Sequence, residues 1–248
     1  MNNYEYCADW VTSQHPSKAE TVLDFGCGTG RIVEALRSED IQAFGCDVFY
    51  EGGSYESMVK PELLGSIIKK MTDSTIPYDD ESFDFVLNNQ VLEHVENLDE
   101  VVSEFYRVLK PGGRVLSLFP DRGVWREGHC GIPFLHRFPK GSQPRVYYAL
   151  ALRSMGLGYN KEGKSRREWS EFQCDWLDNW THYRTLDDIH ATFDRYFEST
   201  ENISEDFLVK RAEPRWLTRK TAGLMTAPIQ RYVVRKLAGL VLVSRKAV

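Results

Sequence analysis

Two stretches of this 248-residue chain combine residue types and spacings that can do chemistry. The first is Gly26-Cys27-Gly28-Thr29-Gly30, which follows the β-prone run Thr21-Val22-Leu23-Asp24-Phe25. Alternating glycines permit a tight turn and let a ligand lie close to the backbone, and a helix opening there offers N–H groups to it. Position 31 is arginine, so the GxGxxG dinucleotide fingerprint is broken and a nicotinamide-type site is disfavoured. Asp47 ends the next strand, 21 residues after Gly26, where a carboxylate can accept both hydrogen bonds of a ribose diol. Taken alone, the glycine turn is also an ordinary strand-to-helix connection.

The second stretch is Arg126-Glu127-Gly128-His129-Cys130-Gly131-Ile132-Pro133-Phe134-Leu135-His136. A histidine held between glycines can act as a general base toward a hydroxyl, and His129 is the first candidate, ahead of His136. The same residues also read as a loop whose histidines satisfy backbone groups. Asp121, Glu127 and His129 match no metal signature, so no metal is expected. His15 and His190 sit in ordinary linker and helix contexts.

Such groups need a scaffold, and the apolar pattern supplies one. Residues 3–13 read as a helix with Tyr4, Trp10 and Val11 as contacts, broken at His15-Pro16. Thr21–Phe25, Ile41–Cys46, Ser82–Leu87 and Arg114–Phe119 read as strands. Helical spacing appears at Ile32, Val33, Ala35 and Leu36, and again at Val101, Val102, Phe105, Val108 and Leu109, stopping at Pro111-Gly112-Gly113. A helical stretch is predicted over Tyr55–Lys70, a helix over Leu186–Phe197, an edge strand over Glu198–Ser204 and a last strand over Leu240–Lys246. Strands alternating with helices imply an α/β domain with a mostly parallel sheet covered on both faces. After Pro120 the rhythm fails, and residues 121–180, rich in Gly, Trp, Tyr and Arg, read as an insertion beside the sheet.

In chain order come Asp24, Gly26-x-Gly28-x-Gly30, Asp47, Met71-Thr72-Asp73-Ser74-Thr75-Ile76-Pro77, Ser82-Phe83-Asp84-Phe85-Val86, Val91-Leu92-Glu93-His94-Val95 and Arg107-Val108-Leu109-Lys110-Pro111-Gly112-Gly113. Over about residues 20–120 this series resembles the class I S-adenosylmethionine-dependent methyltransferases, the small-molecule branch in particular. The resemblance implies a doubly wound, Rossmann-like sheet of seven strands whose last strand runs antiparallel, a place that Leu240–Lys246 suits. It implies that Asp24, Gly26 and Gly28 shape the methionine side of the cofactor pocket and that Asp47 holds the ribose hydroxyls. Asp73 then meets the adenine amine, with Met71 or Thr72 beside it, and Asn89 and Gln90 lie near the sulfonium. His94 falls in a motif whose histidine packs against the sheet end. One methyltransferase domain over 1–248 is expected, with a substrate-side insertion or lid after the fifth strand at 121–180 and a basic helical insertion at 208–238. Phe25, Cys27 and Asn88-Asn89-Gln90 depart mildly from the family pattern.

The expected activity is transfer of a methyl group from S-adenosylmethionine to a hydroxyl oxygen of a small polar acceptor. A sugar or glycan precursor is favoured, because Trp125, Tyr147, Tyr148, Trp169, Trp176, Trp180 and Tyr183, interspersed with Asp, Asn and Arg, suit apolar ring faces with hydroxyl edges. These aromatics also serve as packing for a lid. One alternative is a lipid-linked or quinone-like acceptor at a membrane surface, drawn from the basic segment Arg215–Lys236 with Trp216, Leu217, Leu224, Met225, Ile229, Tyr232 and Val233 as an apolar face. Another is a non-catalytic binding subunit with the cofactor fold, against which Gly26, Gly28, Gly30, Asp47 and Asp73 stand intact.

Charge bears on partners. The net charge is −5, but Asp206–Val248 holds ten basic and two acidic residues, a net +8, which leaves −13 on residues 1–205. An acidic body repels a phosphate backbone, so nucleic acid is not an expected partner. The basic tail is read as a connector docked on the body in preference to a membrane arm. The apolar run Leu237–Val243 has seven residues, whereas a bilayer span needs about 20. Five scattered cysteines without a CxxC pair, and no apolar h-region in the first twenty residues, suggest reduced thiols in a cytoplasmic protein.

Overall fold

The computed structural model describes residues 1–14, 19–49, 56–212 and 223–248. Five parallel strands, β1 (Thr21–Phe25), β2 (Gln42–Asp47), β3 (Ile68–Lys70), β4 (Phe83–Asn89) and β5 (Leu109–Phe119), form the body of the sheet. β7 (Leu240–Arg245) runs antiparallel between β5 and the edge strand β6 (Ser199–Asn202), giving the order β3-β2-β1-β4-β5-β7-β6. This is the seven-stranded, doubly wound sheet with an antiparallel last strand.

Successive residues of a strand point to opposite faces, and β1 shows the consequence. Val22 faces one core, with Tyr6 and Trp10 of α1 (Asn3–Gln14), Ile32 and Leu36 of α2 (Arg31–Ser38), Phe207 of α7 (Ser204–Ala212) and Val234 of α8 (Ala227–Leu237). Leu23 faces the other, with Val101 and Phe105 of α3 (Leu98–Val108) and Ile189 and Phe193 of α6 (Leu186–Phe193). Each such fully buried side chain contributes about 1.5–3 kcal/mol. Asn97 caps α3, its side chain accepting the Glu100 N–H, and Asp99 and Glu100 sit favourably in the first turn.

Two expectations need correction. Tyr55–Lys70 is not a helix: within it, Glu56–Met58 makes one 3₁₀ turn and Ile68–Lys70 pairs with β2. Pro61 and Gly65, the latter at φ 85°, end any helix there, and the Gly45 N–H bonds Ile67 O instead. Pro111-Gly112-Gly113 is not a gap between helix and strand. β5 starts at Leu109 and shifts register against β4 between Phe83 and Phe85, with Gly113 lying where a side chain would meet Lys110 O and Asp84 O. Residues 121–180 contain regular structure, α4 (Gln143–Ser154) and α5 (Arg166–Trp180). They bury Ala149, Trp169 and Leu177 with Cys130, Ile132 and Leu135 in a small separate core.

The basic C-terminal segment pairs with acidic groups of the body. Lys210 meets Asp9 at 2.8 Å, Arg231 pairs with Glu205, and Arg235 holds the fully buried Asp121 at 2.6 Å. Tyr55, Arg215, Trp216, Leu217, His15 and Pro16 lie outside the described residues. All five cysteines are buried and free, and no described helix is long and apolar enough to cross a membrane.

Candidate active site

In an open α/β sheet the ligand crevice lies beyond the carboxyl ends of the strands, where the strand order reverses. Here that point is between β1 and β4, and a cavity of about 1170 Å³ opens there. Asp24, Gly26, Gly28, Asp47, Met71 and Asp73 all border it, as do Asn89 and Gln90. Thr72 does not border it; it is exposed, and its carbonyl accepts the Thr75 N–H.

The β1–α2 turn shows why glycine is needed. Gly26 has φ 70°, and a Cβ there would run into the Val91 side chain; its N–H bonds Cys46 O at 2.8 Å. Gly28 has φ 52° with no atom within 4 Å of where a Cβ would stand, so its outer side is cavity. The Gly28 N–H donates to Asp47 Oδ2 and the Phe49 N–H to Oδ1, each at 2.8 Å, which fixes the carboxylate at the rim. Asp24 is buried beneath the turn. Burial pushes its carboxyl well above the ordinary carboxylate range, and the charge of Asp47 adds to the shift. Asp73 and Gln90 both adopt left-handed backbone, at φ 53° and 59°, and Gln90 is anchored to Leu118 O through its N–H at 2.7 Å.

The opposite wall comes from the loop after β4 and from the segment after β5. His94, His129, Trp176 and Trp180 border the same cavity. His129 Nδ1 lies 2.6 Å from Glu127 Oε1, and Glu127 also accepts the Cys130 N–H at 2.7 Å and the Tyr183 hydroxyl at 2.8 Å. His94 Nδ1 lies 2.6 Å from Trp180 O, and the two Nε2 atoms face each other at 3.2 Å. Burial disfavours a charged His129, but the hydrogen bond and charge of Glu127, with the charge of Glu93, outweigh it and raise its pKa. Burial pushes His94 down to about 4. Burial also works to raise Glu127, but its bonds to His129, Cys130 and Tyr183 bring it to about 2. Glu93 behind the pair is pushed up to about 7 by burial.

His136 stands elsewhere. It borders a separate cavity of about 370 Å³ with Arg122, Arg145 and Tyr183, its Nε2 3.3 Å from Arg122 O, and burial lowers its pKa. Tyr183 links the two sites, its ring tilted at 41° against His136 and its hydroxyl bonding Glu127. Sequence alone assigns no role to Glu93, and it offers Glu127 and Tyr183 only as a metal ligand and a ring-stacking aromatic, not as the partners that orient His129. The signal for Glu127 was its place two residues before His129, and that for Glu93 a carboxylate inside an otherwise apolar motif.

Residues 23–117 match a methyltransferase domain family, and the whole fold is similar to that of a solved S-adenosylmethionine-dependent methyltransferase of Mesorhizobium loti, with a TM-score of 0.54 and 15% identity. The chain carries a methyltransferase domain over residues 23–117. Over 129 residues the chain is 26% identical to the biotin biosynthesis bifunctional protein BioHC of Saccharophagus degradans, covering 48% of this chain and 22% of that one. It is 30% identical over 118 residues to a demethylmenaquinone methyltransferase of Symbiobacterium thermophilum, covering 44% and 46%. The chain thus spans less than half the length of these curated relatives. Among solved structures it is similar to phosphoethanolamine N-methyltransferase 2 of Haemonchus contortus bound to S-adenosylmethionine, with a TM-score of 0.56 and 15% identity, covering 100% of this chain and 53% of that one. A second structure of that enzyme holds S-adenosylhomocysteine with phosphomonomethylethanolamine, and is similar to this chain with a TM-score of 0.54 and 16% identity.

Proposed function

We propose that this methyltransferase moves the methyl group of S-adenosylmethionine to a hydroxyl oxygen of a small polar acceptor, with a sugar or glycan precursor as the favoured class. The observation that carries the reading is His129, oriented by Glu127 and bordering the cavity that the glycine turn also lines. Attack on a methyl carbon already activated by a sulfonium asks the protein mainly to align the two reactants. A hydroxyl acceptor additionally has to lose its proton, and an imidazole backed by a carboxylate serves that need.

In this reading Asp24 meets the cofactor's α-ammonium, a cation that restores charge balance to a buried carboxylate. Asp47 receives the ribose diol and Asp73 the adenine amine, beside Met71. Asn89 and Gln90 flank the methionine portion, and the backbone of Gly26 and Gly28 makes room for it. Residues 121–180 act as the acceptor-side lid, with Trp176 and Trp180 offering faces to a ring. Similar proteins carry the names of a demethylmenaquinone methyltransferase, a ubiquinone biosynthesis O-methyltransferase from rat and a phosphoethanolamine N-methyltransferase, which supports a small-molecule acceptor.

The test is a methyl-transfer screen with labelled cofactor over saccharides, phenols, quinols and amines. Transfer to a hydroxyl compound is expected, lost in His129→Ala while calorimetry shows cofactor affinity retained. Turnover on amines alone, or undiminished turnover by His129→Ala, refutes the reading.

A further inference from the structure

We propose that Glu93, His94 and His129 bind a divalent transition-metal ion on the acceptor wall of the cavity. Both Nδ1 atoms are committed: that of His94 donates to Trp180 O and that of His129 to Glu127 Oε1, each at 2.6 Å. In the neutral rings both Nε2 atoms therefore present lone pairs, and they point at each other across 3.2 Å. Only a proton or a cation between them relieves that arrangement.

The separation fits a metal. With metal–nitrogen bonds of about 2.0–2.1 Å, two nitrogens 3.2 Å apart subtend roughly 100–106° at the ion, between octahedral and tetrahedral angles. Glu93 supplies the third group. It is 1% exposed, and neither carboxylate oxygen finds a hydrogen-bond partner. One of those oxygens and a ring nitrogen of each histidine lie within 4.8 Å of one another. Binding an ion would draw these atoms together to the ~3 Å edges of a coordination polyhedron. The outer shell is in place as well: metal-bound histidines ordinarily donate their other N–H to a carboxylate or a backbone carbonyl, and these two do one of each. Two imidazoles with a single carboxylate suit Zn²⁺, Fe²⁺ or Co²⁺, whereas Mg²⁺ and Ca²⁺ take oxygen ligands.

Because His94 and His129 border the cavity, the ion's remaining positions face the acceptor. There it lowers the pKa of a bound hydroxyl, which releases its proton to water. The oxygen lone pair then forms the C–O bond as the S–CH₃ bond breaks and sulfur keeps the electron pair, giving a methyl ether and S-adenosylhomocysteine. This role rests on the hydroxyl acceptor proposed above; the binding of the ion does not. The ion takes the place of His129 as the group that frees the hydroxyl proton, since a metal-bound Nε2 has no lone pair left to accept it.

The experiment uses the full, tag-free chain after dialysis against a chelator. It is titrated with Co²⁺ and followed by visible absorption, with Zn²⁺ added as competitor. One equivalent of Co²⁺ with d–d bands is expected, displaced by Zn²⁺ and lost in His94→Ala and in His129→Ala. Glu127→Gln, which touches no ion, should weaken binding by roughly 10–100-fold. Calorimetry with S-adenosylmethionine checks that each variant remains folded. If the wild type binds cofactor but neither ion at micromolar levels, the two imidazoles share a proton and the inference falls. It falls equally if the histidine variants keep the d–d bands. Metal binding without hydroxyl methylation would remove the proposed function and leave the metal site standing. Hydroxyl methylation that depends on His129 but survives chelation would do the reverse.

Discussion

Gly28→Ala separates a cofactor contact from a folding effect, because the structure contains a matched control. Gly28 and Gly65 both have positive φ, 52° and 85°, and neither has an atom within 4 Å of the position a Cβ would take. An L-residue in the left-handed region costs about 1–2 kcal/mol, so both alanine variants should lose similar stability. For a chain of this size each kcal/mol lowers Tm by roughly 2–4 °C, giving a drop of about 2–8 °C in both. Only Gly28 borders the large cavity, and it does so beside the carboxylate its own N–H anchors. A methyl group there occupies space the ligand needs, an overpacking cost of about 1–3 kcal/mol, which is roughly a 5- to 150-fold rise in the Kd for S-adenosylmethionine. Calorimetry reads the affinity and thermal denaturation the stability. Wild-type affinity in Gly28→Ala, or an equal loss in Gly65→Ala, would refute the placement of the cofactor against this turn.

Cofactor affinity should also depend on pH through Asp24. Its folded pKa lies above the ordinary carboxylate range and a cationic ligand favours the ionised form, so affinity falls as pH drops through that raised pKa. Asp24→Asn should weaken binding and flatten the profile. His136→Ala should leave cofactor affinity unchanged and transfer within a few-fold of wild type, because His136 borders the smaller cavity; a loss matching that of His129→Ala would contradict this. Arg235→Ala strips the buried Asp121 of its cation, and thermal denaturation should register a loss of about 3 kcal/mol or more. Arg184 donates to the carbonyls of Leu92, Val95, Glu96 and His182 at 2.6–3.2 Å. Arg184→Ala should therefore cost about 1–3 kcal/mol and depress turnover more than cofactor affinity.

The cofactor side was legible because its signals are local and ordered. Gly26 and Gly28 follow a strand, Asp47 ends the next one and Asp73 the loop after β3, so chain order alone brings them to one edge of a parallel sheet. The His94–His129 contact has no such signature. The two residues are 35 apart, and they meet only because the segment after β5 folds back over the loop after β4. α4 and α5 escaped notice for a related reason. Their buried positions, such as Ala149, Trp169, Cys174 and Leu177, are diluted by exposed Tyr147, Met155 and Phe172, so the apolar period that betrays α3 is weak. Tyr55–Lys70 failed in the opposite direction, since apolar spacing suggested a helix that Pro61 and Gly65 forbid.

The same division explains why cofactor and acceptor are known to different depths. The family match ends at residue 117, and His129, Trp176 and Trp180 of the acceptor wall lie beyond it. That wall has its own small core, built on Trp169 and Leu177, and joins the sheet domain through directed polar contacts as well as packing. The His182 N–H bonds Glu93 O at 2.6 Å, Trp180 O receives His94 Nδ1, and Arg184 grips three further carbonyls of residues 92–96. Each contact ends on the loop that leaves β4 after Asn89 and opens with Gln90, two residues that border the large cavity. The acceptor groups are thereby set relative to the methyl donor by one short stretch of chain. Chemistry on the acceptor side can accordingly differ between proteins that share the sheet, because the segment after β5 can be rebuilt without disturbing the glycine turn or Asp47.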